Sequence, residues 1–400
     1  MALTLFGYGK TMQAIAKKFG GECTIFDDTF AHPSTDPWGN TLLPTHLFDP
    51  DNSTLEVTSP GIAPNHPLIK SAKNLISEYD LFAEDTPFSI WISGTNGKTT
   101  TTQMIYHLLK DKGAQVGGNI GYPLADLDPH APLWILETSS FTIHYTTKAR
   151  PNLYVLLPIT PDHVTWHGSM EAYEADKLKP LAWMEEGEIA LLPTPYSATP
   201  SEAYKIGYQT AEDLAQEFGI DLAKLRFKGV FLIDALLALA VHKILFDTIP
   251  YEMINTFVID GHRQEEFKDD QGRLWIDDSK ATNLDATIEA VKIYSDRHLH
   301  LILGGDDKGA DLSTLFTFLN GQDLTIYAIG SNATKIADLS QKASLACHVC
   351  HTLDVAVTMI DKVHTTQSAA LLSPAAASLD QFSSYKERGE KFQSYIKSLS

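Results

Sequence analysis

The segment SGTNGKTT at residues 93–100 restricts the fold of this chain more than any other feature. An apolar run at 88–92 predicts a strand before it, and the pattern at 102–109 predicts a helix after it. Glycines let a backbone wrap around a phosphate, and the N–H groups that open a helix attract that anion. The usual spacing has one more glycine, at the position of Ile92, so this is a shortened variant. A chance Gly/Asn turn is the alternative, and the flanking elements argue against it.

Short apolar runs alternate with helical patterns along nearly the whole chain, which predicts an α/β fold with parallel sheets. The stretch 230–241 has too few breaks for a strand and predicts a buried helix, and a further helix is expected around Leu284, Ile288 and Val291. We find no internal repeat. The predicted strands lie at 3–6, 24–26, 88–92, 133–137, 152–157, 189–192, 274–276, 299–303, 325–329 and 369–372.

Composition narrows the class of protein. The 400 residues suggest two to four domains at roughly 100–200 residues each. No apolar run approaches the roughly 18 residues of a membrane span, and the N-terminus lacks a signal-peptide pattern, so we expect a cytoplasmic protein. A net charge of −19 argues against a general nucleic-acid or anionic-membrane binder. Anionic nucleotides would have to be bound by local N–H groups, a few placed cations and metal ions.

Three cysteines are present, and two of them form a C-x-x-C pair flanked by histidines. Cys347 and Cys350 would need a second ligand pair to form a zinc site, and Cys23 alone does not supply it. The favoured interpretation is that Cys347 and Cys350 are two thiols near the end of a strand. So few cysteines agree with a reducing compartment.

The loop resembles the ATP loop of the Mur ligases and of their relative folylpolyglutamate synthase. Later segments match the family in order and extend the resemblance over residues 93–392, about three-quarters of the chain, and the last of them resemble the D-glutamate-adding member. The segments are GGNIG at 117–121, ETSSF at 137–141, DH at 162–163, YEADK at 173–177, DSKATN at 278–283, GGDDK at 304–308 and LSPAAAS at 372–378.

The resemblance implies three α/β domains. They are a Rossmann-like UDP-substrate-binding domain at 1–84, a central P-loop ATPase domain with a mostly parallel sheet at 85–260, and a Rossmann-like amino-acid-binding domain at 261–400. It implies ATP-dependent ligation of D-glutamate to UDP-N-acetylmuramoyl-L-alanine through an acyl phosphate, in peptidoglycan precursor synthesis. We expect a monomer acting on small molecules, with no nucleic-acid or membrane partner.

Three alternatives remain open. They are a sister ligase that adds another amino acid, a folylpolyglutamate synthase-like ligase, and a nucleotide-binding regulator without catalysis. No D-N-P-R-like motif is present, which argues against the diaminopimelate-adding member. The joint presence of Glu137, His163, Lys177 and Lys308 argues against the regulator.

The resemblance also implies an ATP site with two magnesium ions. The chemistry of the loop places Lys98 on the β- and γ-phosphates and the Thr99 hydroxyl on magnesium. The implied catalytic residues are Lys98, His163, Lys177 and Lys280. The implied ATP-binding residues are Gly94, Thr95, Asn96, Gly97, Lys98, Thr99 and Thr100 with Arg263 at the phosphates and Asp278 at the ribose.

Four residues are implied as metal ligands, namely Thr99, Glu137, His163 and Lys177. A carboxylate at a strand end, such as Glu137, can hold Mg²⁺, although alone it is more often solvated. An imidazole is an unusual ligand for a hard cation, so His163 rests on the resemblance. The resemblance implies that CO₂ converts Lys177 to a carbamate, an anionic oxygen ligand. From the sequence alone, a solvated helix lysine would be the favoured interpretation.

The substrate sites depend mostly on the resemblance. The turn at Gly7 and Gly9 lacks the third glycine of a dinucleotide site, where Met12 stands, so we do not predict NAD. A UDP site near Thr11 and Asp27, or Asp28, is expected, with simple Rossmann-like packing as the alternative. A lysine and hydroxyls suit the two carboxylates of D-glutamate. The implied substrate residues are Thr11, Asp27, Asn119, Ser139, Thr282, Lys308, Ser378 and Tyr385.

Two positions depart from the family pattern. Tyr385 stands where the family often has phenylalanine. Phe231 and Asp234 stand where the family has an asparagine pair that reads adenine, and an aspartate cannot donate to a ring nitrogen.

Overall fold

A computed structural model describes residues 3–307 and 309–399, without the side chains of Val164 and Thr165. The chain forms two compact units, which divide between Phe257 and Val258. Within the described residues there are three six-stranded sheets, each mostly or wholly parallel. The predicted α/β fold is confirmed, and the predicted limits 1–84, 85–260 and 261–400 stay predictions.

The first sheet has the strand order β3-β4-β2-β1-β5-β6, and only β3 runs antiparallel, at the edge. Parallel partners on both sides of β1 explain why all four of its residues are buried. Met12 and Ile15 of α1, one helical turn apart, are fully buried in the same core. The elements are β1 Leu3–Phe6, α1 Lys10–Phe19, β2 Cys23–Asp27, β3 Ser34–Thr35, β4 Thr41–Pro44, β5 Glu56–Thr58, α2 Pro67–Ser71, β6 Leu75–Ile76 and α3 Glu78–Leu81.

The second sheet lies in the same unit and is wholly parallel, in the order β12-β11-β10-β7-β9-β8. The elements are β7 Ser89–Ser93, α4 Lys98–Leu109, β8 Gln115–Gly118, β9 Trp134–Glu137, α5 Ser140–Tyr145, β10 Leu153–Leu156, α6 Val164–His167, α7 Met170–Trp183, β11 Ile189–Pro193, β12 Tyr204–Tyr208, α8 Ala211–Phe218, α9 Val230–Phe246 and α10 Tyr251–Asn255. The predicted buried helix is α9, whose middle is inaccessible to solvent. β7 lies between β9 and β10, so the chain switches direction across the sheet there, and α/β proteins bind ligands outside the carboxyl ends of strands at such a switch.

The third sheet fills the second unit, in the order β13-β14-β18-β15-β16-β17 with β13 antiparallel. The elements are β13 Glu265–Lys268, β14 Leu274–Asp277, α11 Leu284–Ile293, β15 Leu299–Gly304, α12 Ser313–Leu319, β16 Leu324–Ile329, α13 Ala333–Lys342, β17 Ala346–His351, α14 Leu353–Asp361, β18 Ala369–Leu372 and α15 Tyr385–Lys397. Cys347 and Cys350 of β17 belong to two different apolar clusters. Both are free thiols, and burial raises the pKa of Cys350 to about 11.

All ten predicted strands are present, and those at 3–6 and 369–372 have the predicted bounds. The strands β3, β4, β5, β6, β8, β12 and β13 were not predicted, and all of them except β12 have only two to four residues, which carry little periodicity. None of the helices in the described ranges is long and apolar enough to cross a bilayer.

Candidate active site

The predicted phosphate loop follows β7 directly and leads into α4. Gly94 and Gly97 have φ values of 137° and 83°, which favour glycine. A Cβ on Gly94 would lie 2.5 Å from the Cβ of Leu157, and one on Gly97 would lie 2.7 Å from Asp234 Oδ1. Glycine is therefore required at both positions, because their φ values disfavour other residues and because a Cβ would clash with Leu157 or Asp234. The loop conformation agrees with the sequence prediction.

Lys98 is the first residue of α4, and its amine turns back to the loop. Nζ donates to the carbonyl oxygens of Gly94 at 2.9 Å and Thr95 at 2.7 Å. The Thr95 hydroxyl donates to the Thr160 carbonyl oxygen at 3.0 Å and lies 3.0 Å from the Tyr173 hydroxyl. These bonds tie the loop to the segment after β10 and to α7.

Lys177 of α7 lies against the same loop. Its side chain is almost inaccessible to solvent, so the solvated helix lysine favoured by sequence alone is wrong. Nζ donates to the Gly94 carbonyl oxygen at 2.8 Å and lies 4.8 Å from the centre of the Tyr173 ring. Burial, followed by the nearby charge of Lys98, lowers the pKa of Lys177 well below its usual value. A lowered pKa provides the neutral amine that reacts with CO₂.

Glu137 ends β9 beside the loop, because β9 pairs with β7 and brings it opposite Ile92. Its side chain is buried, and Oε1 accepts a hydrogen bond from Asn119 Nδ2 at 2.6 Å. Oε2 is buried and has no hydrogen-bond partner among the described residues. A buried carboxylate oxygen without a partner is unfavourable, and coordination to a cation relieves it. The donor set therefore fits a magnesium ion, for which carboxylate oxygen is a preferred ligand.

His163 follows Asp162 in a turn with φ of 52° at His163. Its backbone N–H donates to Asp162 Oδ1 at 2.8 Å, and its ring contacts Phe141 with centres 4.7 Å apart. Partial burial lowers the pKa of His163, and the charges of Lys98 and Lys177 act in the same direction against the opposing effect of Asp162. A neutral imidazole is the form that binds metals.

Sequence reasoning missed a buried network next to these residues. Asp176 Oδ2 accepts from His144 Nδ1 at 2.8 Å and from His167 Nδ1 at 2.9 Å, and Oδ1 lies 2.9 Å from Lys179 Nζ. Ser140 Oγ lies 3.0 Å from His167 Nε2. Burial raises the pKa of Asp176, but these hydrogen bonds outweigh it and hold the pKa below the usual value. The residues lie far apart in the sequence, so no local pattern signals the cluster.

The second unit groups the residues of the DSKATN segment. Asp278 is buried, with Oδ2 accepting from Ser373 Oγ at 2.8 Å and Oδ1 from the Gln264 N–H at 3.2 Å. Burial raises the pKa of Asp278 to about 7. Lys280 Nζ lies 4.2 Å from the centre of the Tyr385 ring.

Other predicted residues of this unit differ in exposure. Ser378 is buried, Thr282 is exposed and Arg263 is half-buried, while Lys308 lies outside the described residues. Sequence reasoning missed Arg388 of α15, which is buried and donates to Ser279 Oγ at 2.9 Å and to the Ala376 carbonyl oxygen at 3.1 Å. It joins the DSKATN segment to the one that carries Ser378.

Several predicted binding residues have structural partners. Asp27 Oδ2 accepts from the Tyr8 N–H at 2.7 Å, and Ser139 Oγ caps α5 by accepting from the Thr142 N–H at 3.1 Å. Asp234 Oδ1 accepts from Thr101 Oγ1 of α4 at 2.8 Å. Asp234 therefore joins α9 to the helix of the phosphate loop.

Comparison with known proteins agrees with this geometry. The model of the Mur ligase middle domain matches residues 92–211, which include the loop, Glu137, His163 and Lys177. A UDP-N-acetylmuramoylalanine–D-glutamate ligase of Campylobacter jejuni is 52% identical, with 100% of both chains covered. A protein of the same name from Helicobacter pylori is 45% identical, with 99% of both chains covered.

Among solved structures, the MurF ligase of Thermotoga maritima, in complex with ADP, superposes with a TM-score of 0.58 and covers 86% of this chain and 88% of its own. At 14% identity this likeness concerns the fold alone. The full-length identity of the two named relatives is the stronger finding, because it includes the loop and all three sheets. The chain therefore belongs to the Mur ligase family of ATP-dependent amino-acid ligases, in the group of the UDP-N-acetylmuramoylalanine–D-glutamate ligases.

Proposed function

We propose that this enzyme joins D-glutamate to UDP-N-acetylmuramoyl-L-alanine through an acyl phosphate, at the carboxyl edge of the second sheet. The observation that supports this most is the meeting of three groups at one loop. Lys98 and Lys177 both donate to the Gly94 carbonyl oxygen, and Glu137 ends the strand next to β7 with one oxygen unpaired. A phosphate cradle, a buried amine and an available carboxylate oxygen suit phosphoryl transfer to a carboxylate.

The reaction has two steps. The substrate carboxylate oxygen attacks the γ-phosphorus of ATP, its bond to phosphorus forms, and the bond to the ADP oxygen breaks. The amine of D-glutamate then attacks the acyl carbon, phosphate leaves with the bonding electrons, and the nitrogen loses a proton. Lys98 exchanges its two carbonyl partners for phosphate oxygens and stabilises their charge.

Thr99, Glu137, His163 and a carbamate on Lys177 are proposed to hold two magnesium ions, which neutralise phosphate charge when bound. The carbamate forms when the neutral Nζ attacks CO₂ and releases a proton. Support for it comes from the burial of Lys177 and from the direction of its pKa shift. An unmodified ammonium beside a divalent ion would be strongly repelled, by several kcal/mol at 4 Å and an effective dielectric constant of about 20.

The remaining roles are proposals that follow from the family. Arg263 and Asp278 are assigned to ATP, and Lys280 to the transferred phosphate. Thr282, Lys308, Ser378 and Tyr385 are assigned to D-glutamate, and Thr11, Asp27, Asn119 and Ser139 to the UDP substrate. The enzyme is proposed to act as a cytoplasmic monomer, with domains at 1–84, 85–260 and 261–400.

Release of ADP across a panel of amino acids and UDP-muramoyl acceptors tests the function. We expect release that needs both D-glutamate and UDP-N-acetylmuramoyl-L-alanine. Release with another amino acid would favour a sister ligase, and release with folate and glutamate a folylpolyglutamate synthase-like enzyme. Nucleotide binding without release under any pairing would identify a regulator.

A further inference from the structure

The Asp176 network connects three separate segments of the second sheet's unit. His144 belongs to α5, His167 ends α6, and Asp176 lies in α7, where Lys179 also approaches its carboxylate. Asp176 and the His167 side chain are almost inaccessible to solvent. A carboxylate only accepts, so both histidines donate from Nδ1, and a neutral His167 accepts from the Ser140 hydroxyl at Nε2.

The side chains of His144, His167 and Asp176 have the composition of a cation site, but the ring nitrogens that face Asp176 are already hydrogen-bonded to it. Lys179 Nζ lies 2.9 Å from Asp176 Oδ1 and would repel a divalent ion. Each Nδ1 is occupied by a hydrogen bond to the carboxylate, and Ser140 satisfies His167 Nε2. The cluster is therefore a closed hydrogen-bond network that fixes the geometry of its three segments.

Aromatic contacts extend from this network to the proposed metal ligands. The His167 ring lies nearly parallel to Phe141, at 17° and 5.5 Å, and Phe141 in turn contacts the His163 ring. His167 also contacts Tyr173, with ring centres 5.2 Å apart. Tyr173 lies under the amine of Lys177. One buried imidazole thus packs against both rings that contact the two proposed ligands.

His163 needs such support because its backbone has a positive φ and half of its side chain is exposed. Lys177 directly follows Asp176 in α7, so a shift of this helix moves both residues together. We propose that Asp176, acting through His167 and Ser140, is a positioning residue that fixes His163 and carbamylated Lys177 for cation binding. This inference rests on the proposed function.

Asp176→Asn tests it in the full-length enzyme, with Glu174→Gln as the matched control. Glu174 is a carboxylate of the same helix, but it accepts from Tyr196, outside the network. Two readouts separate positioning from general stability. One is the magnesium concentration that gives half-maximal ADP release, and the other is the carbamate carbon signal in ¹³C NMR after equilibration with ¹³C-bicarbonate.

We expect Asp176→Asn to need up to about 10-fold more magnesium, the lower end of the effect of losing a metal ligand's own hydrogen-bond partner, because Asp176 acts on the ligands only through His167. Its carbamate signal should fall and partly recover at high bicarbonate, while Glu174→Gln behaves as the wild type. Ser140→Ala should raise the magnesium requirement and lower the carbamate signal by smaller amounts. If Asp176→Asn does not fold, Ser140→Ala provides the test.

An unchanged magnesium requirement and carbamate signal in the folded Asp176→Asn enzyme, or in Ser140→Ala if the first does not fold, would overturn the inference. In that case the wild type still shows magnesium-dependent ADP release and the carbamate signal, so the proposed function is not contradicted. A wild type that lacks the carbamate signal and needs no Lys177 contradicts the proposed function and this inference with it.

Discussion

The amine of Lys177 donates a hydrogen bond to the carbonyl oxygen of Gly94 across 2.8 Å, so a buried side chain of α7 touches the first turn of the phosphate loop. Lys98 donates to the same oxygen at 2.9 Å. Two cationic side chains that share one acceptor repel each other, which favours loss of the proton from the more deeply buried one. The relationship places the Lys177 amine beside the predicted phosphate loop.

Lys177→Ala should abolish most ligation, because it removes the proposed carbamate. A small carboxylic acid added to this variant should restore part of the rate by supplying an anion at the vacated position. Depletion of bicarbonate should slow the wild type. Lys224→Ala, at an exposed lysine of the same unit that lies outside the Asp176 network, is the control and should retain far more activity. Full activity of Lys177→Ala in bicarbonate-free buffer would exclude the carbamate.

Lys98→Ala should lower turnover by about 10²–10⁴-fold, as expected for loss of a charge that stabilises a phosphoryl group. Steady-state ADP release measures the effect, and an unchanged circular dichroism spectrum shows that the fold is intact. Lys110→Ala, an exposed lysine just beyond the end of the same helix, should be nearly neutral. Near-normal turnover in Lys98→Ala would mean that the loop does not bind the phosphates.

Gly94→Ala should prevent nucleotide binding, because the new Cβ would lie 2.5 Å from the Cβ of Leu157 and φ is 137°. Gly187→Ala separates the two causes, since φ there is 92° but nothing lies within 4 Å of the new Cβ. We expect the control to lose about 1–2 kcal/mol of unfolding free energy and to bind ATP normally. Calorimetric ATP binding by Gly94→Ala at wild-type affinity would contradict the tight packing.

Ser378→Ala should weaken the use of D-glutamate. Loss of a hydrogen bond to a charged group costs about 1.5–3 kcal/mol, which corresponds to roughly a 10- to 150-fold lower kcat/KM for D-glutamate. The KM values for ATP and the UDP substrate should stay the same and provide the internal control. If the KM for ATP rose while that for D-glutamate held, Ser378 would belong to a different site.

His300 and His364 should destabilise the second unit in mild acid, against a partial offset from Asp278, whose raised pKa acts in the opposite direction. Burial, followed by the neighbouring histidines, lowers the pKa of His300 to about 4, and burial likewise lowers the pKa of His364 to about 4. Both histidines take up protons more readily when unfolded, with a pKa near 6.5. The contribution of each neutral histidine to the free energy of unfolding is therefore complete above pH 6.5. It is lost as the pH falls toward 4, by up to roughly 3 kcal/mol for each histidine.

Urea unfolding at pH 7 and pH 5 measures this loss. His300→Gln should reduce the difference between the two pH values, because one titrating group is removed. His32→Gln, at an exposed position of the first sheet's region, should leave the difference unchanged. A pH difference in His300→Gln as large as that of the wild type would contradict the prediction, since the opposing effect of Asp278 is common to both proteins and cancels in the comparison.

The sequence predicted those features that depend on local pattern. The loop glycines, the strands around them and the burial of α9 can be read from periodicity and from residues in immediate succession. The burial of Lys177 could not, because Tyr173 and Gly94 surround its amine only after α7 packs on β7 and β10. For the same reason the sequence did not predict the Asp176 network or the contacts of Arg388, since each joins segments that are distant in sequence.

The pairing of β7 with β9 and β10 has a consequence for how the chain acquires its activity. Leu157 packs against Gly94, and Glu137 lies opposite Ile92, only when both neighbouring strands have joined β7. Parallel pairings between such distant segments form slowly, because loop-closure entropy opposes them before any contact stabilises them. A chain emerging from the ribosome thus carries the whole GTNGKT sequence long before it can hold a nucleotide. ATP, once bound, stabilises only the completed sheet and so favours the last steps of folding.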